Sequence, residues 1–412
     1  MKKIKVVSIA DILFYASMSM VVAFPNPSVY KAILISVFFL YMEVVSFIKR
    51  KSLGPIMHVL WALAFYIYCA KSVIWSLYPE ATAEVIGNVQ WCMLISVSVV
   101  NYIRVYRFTA IDIAKRMAML GLVFLFSVLM NGEYNEGRFT IVIGDYILNE
   151  NVFGQISIGM ACYLFYWSKR KRWKAPLINI YAIILVVLAL ISGSRKSLIG
   201  LVVYLVGFSL YEYPPKNMQR SLFKVFSVAA VAVVVYVLVM NVEVLYNALG
   251  SRIESLLQYL SGEDDADGSA RTRMEMLAFD YRMFEDKPLA GYGLNTFRYF
   301  SGYGAYAHNN YMELLANIGL AGFSVYYLPI LIYSTMAIKL WKNKVRESVV
   351  PLCILLVFIF NDFFTVSYFT MVSHLFLAPA VGMVYNLTYS PRRRRVTVQA
   401  AEIASPLVTE TV

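Results

Sequence analysis

Three short strings of the 412-residue chain bring together residue types that hold anions or move protons. The first is Ser192-Gly193-Ser194-Arg195-Lys196-Ser197. Two adjacent cations flanked by small hydroxyl residues, at an expected helix start, suit phosphate oxygens, because side-chain charge adds to the N–H groups and dipole of the helix terminus. The same string also reads as a tight turn whose cations reach out to lipid headgroups. The second string is Ser269-Ala270-Arg271-Thr272-Arg273. Arg271 and Arg273 are two apart and cannot share a helix face, so one of them at most enters a given site. The alternative is a solvated surface pairing with Asp264, Asp265 or Asp267. The third runs through Gly291-Tyr292-Gly293 and Tyr306-Ala307-His308-Asn309-Asn310-Tyr311 to Glu313 and Gly319.

Only three histidines occur. His58 and His374 fall within apolar runs and read as packing or interhelical hydrogen-bonding residues. His308 instead falls where a polar loop runs back into an apolar segment. A neutral imidazole there would take a proton from a sugar hydroxyl, since its ordinary pKa lies near ambient pH. No second histidine or cysteine lies near it in sequence, which argues against a metal site, and no cofactor is implied.

The elements that must position these strings are hydrophobic. The chain is 60% hydrophobic and 15% charged, whereas soluble domains run nearer half apolar and about a quarter charged. The excess is gathered in long runs, which excludes a soluble enzyme and a disordered or fibrous chain. A crossing needs roughly 20 apolar residues, and twelve such segments are expected near 7–24, 29–48, 54–77, 85–103, 117–131, 152–168, 176–193, 197–211, 222–241, 312–337, 348–364 and 367–388. The expected fold is an all-α integral membrane protein of about 12 transmembrane helices, forming one polytopic domain over 1–412. The first run is followed by Pro25-Asn26-Pro27 and lacks a small-residue cleavage site, so it reads as a span and not as a signal peptide. The four cysteines all lie in apolar runs and read as small hydrophobes.

The net charge of +12 fits the same picture. Most lysines and arginines fall on every second connection, as the positive-inside rule demands, if both termini are cytoplasmic. The arginine run at 392–395 then reads as a topology anchor, and no nucleic-acid partner is expected. Lys31 and Lys71 lie at or inside spans. Nine basic residues run against the rule on the outer side: Arg138, Arg195, Lys196, Arg252, Arg271, Arg273, Arg282, Lys287 and Arg298. The outer side also carries the one long loop, 242–310, between the ninth and tenth spans. It opens with helical periodicity at Leu245, Leu249, Ile253, Leu256, Leu257 and Leu260, passes an acidic turn at 263–268, and continues as a second helix over about 269–285. Loops of this length are usually functional. A shorter outer segment, 131–151, has alternating apolar residues that suit the membrane surface.

His308-Asn309, nine intervening residues and Gly319 resemble the signature of the O-antigen polymerase and O-antigen ligase superfamily of polytopic membrane glycosyltransferases. The strings at 192–195, 269–273 and 287–293, and Asn149-Glu150-Asn151, resemble the family's context in the same order. That resemblance implies a glycan donor carried on undecaprenyl pyrophosphate, an active site facing the periplasm from the bacterial inner membrane, and a fold like that of multi-span polyprenyl-donor glycosyltransferases. It implies His308 as general base, Arg195 with Arg271 or Arg273 on the pyrophosphate, and Lys196, Asn309, Glu313 and Tyr292 as further substrate-binding residues. Membrane lipids and a chain-length regulator protein are the implied partners. Ligases of this family often have leucine four residues after the arginine. Here Leu198 and then Ile199 follow Arg195, and Lys196 stands where a small residue is common. Both departures favour a polymerase over a ligase that uses the lipid A core. A transporter is the reading from another class; it would place ionisable residues near the bilayer midplane, and Asp11, Glu43, Lys71 and Asp362 are its candidates.

Overall fold

The computed structural model describes residues 8–24, 28–50, 52, 54–135, 137–169, 175–212, 218–251, 253–254 and 268–389. Among them a helix coincides with every expected apolar segment. The first nine are α1 (Ile9–Val22), α2 (Val29–Arg50), α3 (Ile56–Lys71), α4 (Pro79–Tyr106), α5 (Ala110–Asn131), α6 (Glu150–Ser168), α7 (Ala175–Ile191), α8 (Arg195–Glu212) and α9 (Met218–Asn241). In the long loop, after a short helical stretch at Glu243–Gly250, come α10 (Gly268–Asp286) and α11 (Thr296–Phe300). The last three are α12 (Asn310–Lys342), α13 (Val349–Asn361) and α14 (Met371–Thr388).

Six of the described helices are long and apolar enough to cross a membrane: Val29–Arg50, Ile56–Ile74, Pro79–Tyr106, Ala110–Asn131, Asn310–Lys342 and Met371–Thr388. A seventh is added if Val233–Asn241 and Glu243–Gly250, bent by 98° at their junction, are one broken span. The chain is an all-α membrane protein in this sense. Of the other expected crossings, α1, α7 and α13 have 14, 17 and 13 residues, and α6 and α8, with 19 and 18, are not among the helices that meet both length and apolarity.

Helix ends follow local chemistry. Ser8 with Asp11, and Thr109 with Asp112, form reciprocal capping boxes that satisfy the first N–H groups of α1 and α5. Pro79 opens α4, where its missing N–H costs nothing, and Arg107 in the left-handed region ends it. The segment expected along the membrane surface departs from helix altogether. It forms a three-stranded antiparallel sheet, ordered β1 (Gly132–Asn135), β2 (Arg138–Ile143), β3 (Tyr146–Ile147), with Glu133 opposite Thr140 and Val142 opposite Ile147. On β2, Arg138 and Thr140 are buried on one face and Ile141 on the other, so the strand is covered from both sides.

At the centre, α4 packs against α2, α3 and α14. Basic residues gather at the end of the bundle away from the long loop. There Arg50 donates to the Val105 carbonyl at 2.8 Å, and Arg104 donates to the Ser52 hydroxyl at 2.8 Å. Two of the acidic residues weighed for transport close local contacts: Asp11 pairs with Arg116 at 2.7 Å and accepts from Tyr102, and Glu43 accepts from Asn101. His58 and His374 are buried between helices, His58 against the Ser96 hydroxyl at 3.1 Å and His374 stacked on Trp61.

Candidate functional site

The long loop is locked to the bundle through a break in α12. Gly319 has φ 64° and ψ −174°, a conformation essentially confined to glycine, and it interrupts the helix between Asn317 and Leu320. The backbone groups freed by the break are satisfied by the 288–293 segment. Tyr292 N–H and Gly293 N–H donate to the carbonyls of Ala316 (3.2 Å) and Asn317 (2.7 Å), while Leu320 and Ala321 N–H donate to Pro288 (2.8 Å) and Leu289 (3.1 Å). The Tyr68 hydroxyl takes the Ile318 carbonyl at 3.2 Å. A side chain at Gly291 would meet the Asn317 backbone at 2.4 Å, and one at Gly319 would meet the Leu289 carbonyl at 2.3 Å. The glycines of the third string therefore allow two backbones to touch.

This lock delivers His308 to the start of α12. Glu313, fully buried, accepts Ala307 N–H at 2.9 Å with one oxygen and the Asn317 amide at 2.9 Å with the other. Asn309 caps the helix, its side-chain oxygen accepting Tyr311 and Met312 N–H, both at 3.0 Å, while its amide donates to Phe363. Between these anchors His308 is held in the left-handed region at φ 58°. Its ring lies half-buried, 4.5 Å from that of Tyr306. Burial, with Arg273 and Lys196 in electrostatic reach, lowers its pKa from 6.5 to about 4. The imidazole is thus held neutral well below ambient pH, further from it than the sequence reading expects.

The first string sits at the same place. Gly193, at φ 67°, turns the chain against the Ala248 carbonyl. Arg138 on β2 donates through Nε to the Ser192 carbonyl at 3.0 Å and pairs with Glu150 at 2.9 Å, tying the sheet and the α6 terminus to the turn. Arg195 opens α8 beside Lys196, and the Ser194 and Ser197 hydroxyls share a hydrogen bond at 2.7 Å. Lys196 stands within electrostatic reach of Arg273, Arg138 and Asp362. One end of the bundle therefore sets Lys196 and Arg273 about a neutral histidine, with Arg138 behind Lys196.

Two of the sequence candidates lie away from this centre. Arg271 is exposed and pairs with Glu275 one turn along α10, at 3.2 Å. Tyr292 donates its hydroxyl to Asp286, stacks on Phe300, and carries the Lys287 ammonium 4.3 Å above its ring. The acidic turn at 263–267 lies outside the described residues. Asp280 of α10 escaped the sequence reading. It is completely buried, neither carboxylate oxygen has a hydrogen-bond partner among the described residues, and Glu313 lies close. Desolvation first and the Glu313 charge second push its carboxyl well above the usual range. Nothing in the sequence around it distinguishes Asp280 from a surface acid. Arg138 and Glu150 did leave a signal, as an outer cation against the topology rule and as part of the Asn-Glu-Asn string.

Residues 180–327 match the family described as O-antigen ligase, a match consistent with the O-antigen polymerase and ligase superfamily. The matched stretch contains Arg195, Lys196, Arg273, His308, Glu313 and Gly319, while Arg138 and Glu150 lie before it. No curated protein matches the chain.

Proposed function

We propose that the protein is an O-antigen polymerase that transfers a growing glycan from undecaprenyl pyrophosphate to a lipid-linked repeat unit at the periplasmic face of the inner membrane. The observation that carries this reading is a half-buried neutral His308 in the field of Arg273 and Lys196. Placement of the loop end outside is supported by the basic cluster of Arg50, Arg104 and Arg107 at the other end of the bundle, which suits the cytoplasm. Twelve crossings with both termini inside remain the topology that best accounts for the alternation of charge along the chain.

The acceptor hydroxyl attacks the anomeric carbon from the face opposite the pyrophosphate, so the centre inverts. The bond from that carbon to the phosphate oxygen breaks, its electron pair leaves with the pyrophosphate, and the hydroxyl proton passes to an imidazole nitrogen of His308. Pyrophosphate needs charge neutralisation more than protonation, and guanidinium supplies it through paired hydrogen bonds. Arg195, Lys196 and Arg273 take that role. Without donor, the cations depress the basicity of His308; a bound pyrophosphate offsets their charge, so the base strengthens when its substrate is present. Glu313 and Asn309 act on the histidine by holding its backbone, and no metal or cofactor enters the reaction as written.

The description of the matched family favours a second reading, a ligase that moves the finished glycan to the lipid A core. The lipopolysaccharide banding pattern of a strain lacking the protein separates the two. Core plus a single repeat is expected for the polymerase. Bare core with accumulated lipid-linked polymer makes it the ligase, and an unchanged ladder overturns both.

A further inference from the structure

At the loop end of the bundle a cleft of about 650 Å³ opens between the starts of α2, α6 and α14 and the first half of α4. That volume is in the range of small-molecule sites. Its wall carries three aromatic side chains, Trp91, Tyr146 and Phe369, and two amides, Asn88 and Asn149. Lys31 is the one charged residue among its lining, and it is buried although it lies near the start of α2. Flat apolar rings interleaved with amide donors and acceptors match the chemistry of a sugar, which presents C–H faces between hydroxyl edges.

The cleft and the histidine share a neighbour. The Phe369 ring meets the Tyr306 ring edge-on at 6.2 Å, and Tyr306 rests against His308 at 4.5 Å. Lys196 and Arg273 act on His308, yet neither lines the cleft. The cationic surface and the aromatic cleft are therefore separate lobes that converge on the Tyr306–His308 pair.

We propose that this cleft is the acceptor-saccharide subsite, which holds an oligosaccharide against Trp91 and Phe369 and brings one of its hydroxyls past Tyr306 to His308. The assignment rests on the transferase reading of the histidine. Binding tests it independently of turnover. The probe is the lipid-free repeat-unit oligosaccharide released by mild acid from the strain's own polysaccharide, titrated into the full-length protein in lipid nanodiscs and followed by saturation-transfer NMR. The wild type and His308→Ala are expected to bind alike, and Trp91→Leu and Lys31→Met at least tenfold more weakly. Asn88 is exposed, so Asn88→Ala keeps the test open if a buried variant fails to fold, and the same weakening is expected of it. Wild-type affinity in the folded cleft variants, or no binding by the wild type, overturns the subsite. A normal ladder from His308→Ala in cells would instead sink the transferase reading, whatever the cleft binds.

Discussion

Glu313 accepts the backbone N–H of Ala307 at 2.9 Å, so the residue before His308 is bonded to the helix that begins after it. This closes a ring of seven residues, 307–313, that contains the histidine and fixes it in a left-handed backbone uncommon outside glycine. The position of the imidazole is thereby set by the bundle and not by the loop.

His308→Ala should fold and dock its loop normally but lose activity by about 10²–10⁴-fold, the usual cost of a missing general base. In the wild type, kcat/KM should rise through about pH 4 and stay flat above it, because the lowered pKa leaves the free enzyme's imidazole neutral from there upward. A reconstituted polymerisation assay from pH 3.5 to 8 checks this; a midpoint near 6.5 would mean that neither burial nor the charges of Arg273 and Lys196 act on the ring.

Arg273→Ala and Arg271→Ala should differ sharply. The first removes a cation that acts on His308 and should cost on the order of 10²–10³ in rate. The second breaks an exposed pair with Glu275, of a kind worth about 0–1 kcal/mol, and should leave the ladder of glycan lengths intact. Complementation of a deletion strain by each variant reads the difference directly.

Gly319→Ala should lower the melting temperature and abolish activity by opening the contact with the 288–293 backbone. The backbone conformation costs an alanine about 1–3 kcal/mol, and the added carbon would lie 2.3 Å from the Leu289 carbonyl. Faster proteolysis of the 288–293 segment in the folded variant would show that the lock had opened.

Asp280→Asn should stabilise the protein, and more so as pH rises. The Asp280 carboxyl has a folded pKa well above its unfolded value, so the native state binds the extra proton and stability falls as pH rises above about 4. An amide removes that dependence. Thermal inactivation between pH 4 and 8 should show the two midpoints diverging upward in pH; parallel curves would mean that the carboxyl is not held protonated.

Much of the site was legible because its signals are local. His308 stood out as the one histidine outside an apolar run, and the i, i+2 spacing of Arg271 and Arg273 already required that they face apart. Which of them faces inward was not legible, since it depends on how α10 settles on α12. Asp280 was invisible for the same reason: its solitude is created by the helix that covers it.

The amino-acid sequence alone determined where helices form and that they belong in a membrane, because apolar run length and capping chemistry act within a few residues. It also marked the cations that fall out of step with the charge alternation expected along the chain. Tertiary structure decided what joins what. Only packing could turn 132–147 into a sheet whose Arg138 braces the Ser192 turn, or make Gly319 a helix break that receives the 288–293 backbone. Only packing, too, could bring Lys196 and Arg273, far apart along the chain, into the field of one imidazole. Those relationships depend on distances through space, and spacing along the chain does not encode them.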